Sequence, residues 1–158
     1  MINEIIKITI LFITLLLIPA LGFAQEVSSE IVMFRVFTDD SGIEKLGDAS
    51  FVEPEDTVEY QVAYTNHGIS SISSLEPILP VPEGFKLSLK ESKESKKAFQ
   101  VSLDGKSFQN YPILKSITMD SRIVFIPVED HEYRYVKWVV ESLNAGETVV
   151  LKARMNVL

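Results

Sequence analysis

The sequence is poor in the side chains that most catalytic and metal sites require. It contains no cysteine and only two histidines among 158 residues. The absence of cysteine excludes disulfide bonds, thiolate metal sites, cysteine nucleophiles and a lipid-modified N-terminal cysteine. The sequence also contains no glycine-rich phosphate loop and no G-x-S-x-G nucleophile motif. The stability of this protein must therefore come from the burial of a hydrophobic core.

Positive charge is scarce as well. The chain has 15 lysines and arginines against 22 aspartates and glutamates, which gives a formal net charge of -7. A protein that binds nucleic acid needs a basic face to neutralise phosphates, so we expect no nucleic acid among the partners. A chain of this length supports one domain.

The first 24 residues have the three-part pattern of a secretory signal peptide. Lys7 lies in the polar first part, and an apolar run follows at residues 8–18. Small residues then lead to an expected cleavage site between Ala24 and Gln25. A membrane anchor is the alternative, but it needs about 20 apolar residues, and this run is shorter. We therefore expect an exported protein, periplasmic or secreted, with no membrane anchor after cleavage.

Hydrophobic and polar residues alternate with period two after a short expected linker at residues 25–30. This alternation is typical of half-buried strands, and we assign one domain to residues 31–158. The longer predicted strands are 32–37, 58–65, 133–140 and 148–157, and the shorter ones are 71–75, 85–89, 113–118 and 122–126. The polar segment 87–97 has no apolar face at helical spacing, so a loop or exposed edge is favoured over a helical turn.

Turn signals separate these segments and predict the architecture. Asp104-Gly105 predicts a hairpin between residues 99–103 and 106–108. Trp138 lies among valines on one face of its strand, which is typical of a large core aromatic. Many short strands joined by turns at intervals of about 8–12 residues predict an all-β antiparallel β-sandwich.

Four short motifs follow one another along most of the domain. They are VEPEDTVEYQVAYTNHG at 52–68, EPILPVPEG at 76–84, SLDGKSF at 102–108, and VKW followed by LNAGET within 136–148. In this order they resemble the V-x-PGDTVxYTVxYxNxG, DPLPxG, SxDGGxTF and VRWxxxxLxPGET elements of the bacterial conserved repeat domain, also known as the domain of unknown function 11 family.

The resemblance covers nearly all of residues 31–158. It implies an immunoglobulin-like antiparallel β-sandwich of about seven to nine strands on the outside of a bacterium. The sequence departs from the family pattern at Glu55, where the family has glycine, and at Glu76, where the family has aspartate. Residues 80–82 read as an insertion-like variant. The family pattern implies no catalytic residues, so none is transferred to this chain.

The residues that most resemble chemical sites have simpler interpretations. His67 follows a predicted strand, and we expect an exposed turn residue rather than a base or ligand. His131 lies in an acidic run, but one imidazole with scattered carboxylates fixes no metal geometry. Asp39, Asp40 and Asp48 match no EF-hand spacing. We therefore predict no catalytic residue, no metal and no cofactor; a small hydrolase would need a histidine beside a serine and a carboxylate.

Aromatic residues near loops are the remaining clue to binding. The candidate partner-binding residues are Phe108, Tyr111, Tyr133 and Tyr135. Exposed aromatic rings stack on sugars and on proteins. The alternative is that they fill the core between two sheets, which we expect for at least half of them.

These observations lead to two expected functions. The first is an exported, non-enzymatic structural or interaction module of the bacterial envelope or exterior, which presents loops or a strand edge to an unknown envelope or extracellular protein. The terminal strand, residues 149–157, would pair with a partner if it lay at a sheet edge. The alternative is a carbohydrate- or surface-binding module that uses exposed aromatics on a glycan. Burial of Trp138 and of the tyrosines would count against the alternative.

Overall fold

A computed structural model describes residues 27–88 and 99–158. The expected signal peptide, its cleavage site at Ala24 and Gln25, and most of the polar segment 87–97 lie outside the described residues. The described part contains strands and one 3-10 turn at Asp130–Glu132. It contains no helix that is long and apolar enough to cross a membrane. The prediction of an all-β chain is confirmed.

The strands are numbered in chain order. They are β1 Val27–Thr38, β2 Glu44–Asp48, β3 Thr57–Asn66, β4 Ile72–Leu75, β5 Ile78–Pro80, β6 Phe85–Leu87, β7 Phe99–Ser102, β8 Gln109–Asn110, β9 Leu114–Met119, β10 Arg122–Pro127, β11 Tyr135–Trp138, β12 Val140–Leu143 and β13 Thr148–Val157. All the strand pairs are antiparallel.

The larger sheet has five strands in the order β2-β1-β3-β13-β6. Strand β1 begins at Val27, inside the expected linker at 25–30. Its first residues pair with the end of β3, from Val27 opposite Asn66 to Glu30 opposite Ala63. This pairing supplies hydrogen-bond partners along the whole of β3, whose backbone groups would otherwise lack them on that side.

The second layer consists of the sheet β5-β11-β7-β8 and the pair β12-β4. The backbone N–H of Trp138 donates to Pro77 O at 3.0 Å between these two parts. The segments β4–β5 and β11–β12 therefore run side by side in one register, from Leu143 opposite Ile72 to Tyr135 opposite Pro80. Pro77 lacks an N–H, so the ladder is interrupted there. Such breaks, the short β8 and the separate β9–β10 pair explain why thirteen strand segments are described where seven to nine strands were expected.

The core lies between the two layers and follows the predicted alternation. In β13, Val149, Leu151, Ala153 and Met155 are buried, and from the opposite layer Val136 and Trp138 are buried against them. Burial of each large apolar side chain contributes about 1.5–3 kcal/mol. The β-sandwich prediction and the core position of Trp138 are confirmed.

The condition for partner pairing by the terminal strand is not met: β13 lies inside its sheet, paired with β3 along its length and with β6 at Met155–Val157. One local prediction is corrected. The hairpin after β7 has its second strand at Gln109–Asn110 instead of 106–108. The Asp104 carboxylate accepts the backbone N–H groups of Lys106 at 2.8 Å and Ser107 at 2.9 Å, which folds these residues into a wide turn.

Candidate functional site

Strands β9 and β10 form a two-stranded hairpin that pairs with no other strand of the described chain. The register runs from Met119 opposite Arg122 to Leu114 opposite Pro127. The two turn residues, Asp120 and Ser121, both have positive φ, at 47° and 62°. Positive φ at both central positions is typical of the tight type I′ turn, whose twist matches the twist of the flanking strands.

The β9–β10 hairpin exposes apolar side chains on both faces. On one face, Leu114 is 55% exposed, Ile123 72% and Phe125 66%. On the other face, Met119 is 58% exposed and Val124 38%. Soluble monomers rarely expose a large contiguous apolar patch unless it serves binding. The hairpin is therefore the strongest candidate for an interaction surface.

Hydrogen bonds at its base tie the hairpin to the core. Tyr133 Oη accepts the Ile113 backbone N–H at 3.2 Å and donates to Val128 O at 3.5 Å. The Val128 N–H in turn donates to Ile113 O at 2.8 Å. Ile113, Val128 and Tyr133 are all buried. The base is consequently anchored while the distal residues project.

An ion pair beside the base supports the same arrangement. Lys115 Nζ lies 2.7 Å from Glu132 Oε1, and Glu132 belongs to the 3-10 turn. This hydrogen bond holds the pKa of Glu132 below its usual value and the pKa of Lys115 above its usual value. Lys115 is thus held toward the body of the domain.

The four predicted partner-binding aromatics do not form one exposed platform. Tyr133 is fully buried and its hydroxyl bonds to buried backbone groups at the hairpin base, which agrees with the core alternative for this residue. Tyr111 is half-buried, with its ring 5.8 Å from that of Tyr133. Phe108 is half-buried with Lys137 Nζ 5.0 Å from its ring centre. Tyr135 is half-buried against Gly105.

Sequence reasoning missed Ile123 and Phe125 as site residues. The segment 122–126 is predicted as a strand, but its pattern does not indicate which face is buried. A signal is present: residues 123–126 are four consecutive apolar residues, and a strand with one buried face should alternate instead. A continuous run requires cover on both faces, which the described residues do not supply.

The predicted exposed position of His67 after a strand agrees with the structure. His67 Nε2 lies 2.7 Å from Ser28 Oγ, and both residues are exposed. Among the described residues no carboxylate is within hydrogen-bond or ion-pair distance of this imidazole, so the pair lacks the third member of a triad. His131 Nδ1 lies 3.4 Å from Glu129 Oε2 at the surface.

Two of the three carboxylates considered for calcium, those of Asp39 and Asp48, accept hydrogen bonds within turns. Asp39 Oδ1 accepts the backbone N–H groups of Ser41 and Ile43, and Asp39 Oδ2 lies 2.7 Å from Lys45 Nζ. The hydrogen bond from Lys45 holds the pKa of Asp39 below its usual value, with a smaller contribution from Ile43. Within the described part of the chain, no three His, Asp or Glu side chains converge as metal ligands.

No family model, curated protein or solved structure matches this chain. The resemblance to the bacterial conserved repeat domain therefore stays a prediction carried by the four motifs.

The structure gives a physical role to the asparagine of the first motif. Asn66 is completely buried. Its amide Nδ2 donates to Ser70 O at 2.8 Å and to Leu143 O at 2.9 Å, and its Oδ1 accepts the Gly68 N–H. One side chain thus ties the end of β3 to the following turn and to the opposite layer, and both of its buried polar atoms are hydrogen-bonded.

Proposed function

We propose that this protein is an exported, non-enzymatic interaction module of the bacterial envelope or exterior, and that it docks a protein partner through the β9–β10 hairpin. The observation that carries the proposal is the exposure of Ile123 and Phe125, each by about two thirds or more, on a projecting hairpin with an anchored base. Export is supported by the signal pattern in the first 24 residues. An envelope location is supported by the resemblance of the four motifs.

The physical argument is that the hairpin cannot bury its own apolar side chains. A two-stranded sheet is marginal alone in water, and stable sheets need further strands or a packed face. A partner that covered Ile123 and Phe125 would remove apolar area from water and gain an aromatic anchor of the kind that dominates protein interfaces. The edge strand also offers backbone groups for β-augmentation.

The glycan-binding alternative has less support. Trp138 and Tyr133 are buried in the core, so neither ring is accessible to a sugar. Among residues 27–88 and 99–158, the most exposed aromatic side chains are those of Phe51 and Phe125, and phenylalanine lacks the polar group with which tyrosine or tryptophan bonds to a wet ligand.

The proposal is tested by affinity capture. The full chain is produced with its own N-terminal segment, purified in the form that the cell exports, and used to capture proteins from an envelope extract. The test variant combines Ile123→Ser with Phe125→Ser. The control combines Ile69→Ser with Phe51→Ser, which removes two exposed apolar side chains elsewhere.

The expected result is a reproducible protein partner that is retained by the wild type and the control and lost by the hairpin variant. A partner that all three forms retain equally would contradict the role of the hairpin. Recovery of glycan or peptidoglycan without protein would contradict protein docking and favour the alternative.

A further inference from the structure

We propose that the outer edge of β10 pairs with β10 of a second copy of this chain, in one antiparallel register, to form a two-fold symmetric dimer. This inference rests on the proposed function, since it names the partner of the same hairpin. Within the described chain, β10 pairs with β9 on one side and with no strand on the other.

The register of the hairpin determines which backbone groups of β10 point outward. In a two-residue turn the flanking residues, here Met119 and Arg122, exchange backbone hydrogen bonds. Bonding residues then alternate along the strand, so Arg122, Val124 and Ile126 bond to β9. The bond from Val128 N to Ile113 O, at 2.8 Å, continues the same alternation beyond the strand end. The N–H and C=O groups of Ile123 and Phe125 therefore face outward.

Only one two-fold register uses all these outward groups. With the axis at Val124, Ile123 of one copy lies opposite Phe125 of the other, and each of these two pairs exchanges two hydrogen bonds. An axis at Phe125 would place Ile123 opposite Pro127, which has no N–H to donate. An axis at Ile123 would place Phe125 opposite Ser121, whose φ of 62° lies in the turn.

Side chains favour the same register. Ile123 and the Phe125 of the second copy would lie side by side on one face, and aromatic and β-branched residues form favourable cross-strand pairs. Because the two-fold axis makes the contact self-complementary, the outer edge of β10 is paired in both copies and cannot bind a further strand. The proline at 127 limits the pairing at one end, and the turn limits it at the other.

The size of the contact suits a weak dimer. Pairing joins strand edges rather than sheet faces, so it consists of four backbone hydrogen bonds and two cross-strand contacts between Ile123 and Phe125. Such an interface is smaller than the roughly 1,000 Å² of a stable specific complex. The dimer should therefore form and dissociate with concentration.

Charge also favours the hairpin as the contact between two acidic copies. The whole chain carries a net charge of -7. Segment 114–127 contains Lys115, Arg122 and Asp120, and two cations minus one anion leave a charge of +1. Contact through the hairpins keeps the acidic bodies of the two copies apart, which lowers their repulsion.

Sedimentation velocity of the exported full chain, from low-micromolar to near-millimolar concentration, tests the inference. The test variant is Phe125→Pro, which removes an outward N–H and no bond to β9. The matched control is Ser116→Pro, because Ser116 lies directly opposite Phe125 and its N–H points to the outer edge of β9. We expect a wild-type monomer–dimer equilibrium, the same equilibrium in the control, and an apparent dissociation constant raised at least about tenfold in the test variant.

Amide hydrogen exchange of the wild type gives a readout that needs no variant. The amides of Ile123 and Phe125 should become protected as concentration rises, whereas the Val124 amide should be protected throughout because it bonds to β9. A chain that stays monomeric at near-millimolar concentration, a dimer that survives Phe125→Pro, or protection that does not change with concentration would overturn the inference. A monomer that still captures an envelope protein through Ile123 and Phe125 would overturn the dimer and leave the proposed function standing.

Discussion

Arg154 and Glu59 form an ion pair on the outer face of the larger sheet, although only 5% of the Glu59 side chain is exposed. The two residues are opposite one another in β13 and β3, and Arg154 Nε donates to Glu59 Oε2 at 3.0 Å. Gln61 donates to the other carboxylate oxygen at 2.7 Å. Glu44 also accepts from the guanidinium, and the hydrogen bonds that Arg154 donates to Glu44 and, less strongly, to Glu59 hold the pKa of Arg154 above its usual value.

Replacement of Arg154 by methionine should lower the free energy of unfolding by about 3 kcal/mol, because it leaves a buried carboxylate without its main partner. The matched control is Lys152→Met. Lys152 Nζ is 3.6 Å from Glu59 Oε1 and the lysine side chain is 40% exposed. This substitution should lower the free energy of unfolding by less than about 1 kcal/mol. Urea unfolding measures both. Equal losses in the two variants would show that the buried position of the pair does not matter.

Replacement of Tyr133 by phenylalanine should cost about 1–3 kcal/mol, since it leaves the buried Ile113 N–H without its acceptor. Tyr111→Phe is the control, because that hydroxyl only reaches Asp130 at 3.4 Å in a partly buried place. Amide exchange should also be faster at Ile113 and Val128 in Tyr133→Phe alone. Unchanged exchange there would mean that Tyr133 does not anchor the hairpin.

Alanine at Gly105 should be more destabilising than alanine at Gly84. Both glycines have positive φ, at 73° and 82°, and an L-residue there costs about 1–2 kcal/mol. A Cβ at Gly105 would also lie 2.8 Å from Tyr135 Cε2, whereas a Cβ at Gly84 would meet no atom within 4 Å. Thermal unfolding of Gly105→Ala, Gly84→Ala and Gly105→Ala combined with Tyr135→Ala separates the two effects. The protein with both Gly105→Ala and Tyr135→Ala should not show the part of the destabilisation that comes from the contact between the new Cβ and Tyr135.

Acid should remove a contribution of Asp104 to stability. Backbone hydrogen bonds from Ser107 and then Lys106 hold the pKa of Asp104 below its ordinary value of 3.8. A carboxyl with a lowered folded-state pKa stabilises the fold fully above the unfolded-state pKa, and this contribution is lost as pH falls through the folded-state value. The free energy of unfolding should be measured between about pH 6 and about pH 2, which spans the ordinary range of carboxyl pKa values. It should fall less steeply with acid in Asp104→Asn than in the wild type.

Asp40→Asn serves as the control for this titration, because Asp40 makes no hydrogen bond or ion pair with the described residues. This variant removes one exposed carboxylate without removing a hydrogen bond. If Asp104→Asn kept the wild-type acid profile, the turn at 104–107 would not depend on the charge of this carboxylate.

The alternation of hydrophobic and polar residues predicted burial correctly in a strand that has one face in the core and the other in solvent. The alternation at 148–157 predicted which side chains of β13 are buried, because the period of a strand fixes which residues share a face. The place of β13 within its sheet was not predictable, since pairing partners come from distant segments: β3 on one side and β6 on the other. For the same reason the sequence left open whether β13 lies at an edge.

The candidate site was predicted poorly. Aromatic side chains near loops were selected, yet Tyr133 is buried because a backbone N–H twenty residues away, at Ile113, needs its hydroxyl. Ile123 and Phe125 were overlooked, because a strand that is covered on both faces and a strand that is uncovered share the same apolar run. Burial is a property of what packs against a residue and not of the residue itself.

The sequence by itself determined the class of the fold, the positions of most strands and turns, and the faces of β3, β11 and β13 that enter the core; for β1 it left the face open, and Met33 is the residue packed on the core. These follow from local properties: side-chain period, turn residues and the poor helical pattern. Only the tertiary structure decided the strand order, the early start of β1 at Val27 and the hairpin left outside both sheets. Those features depend on contacts between segments far apart in the chain, whose energies no local pattern contains.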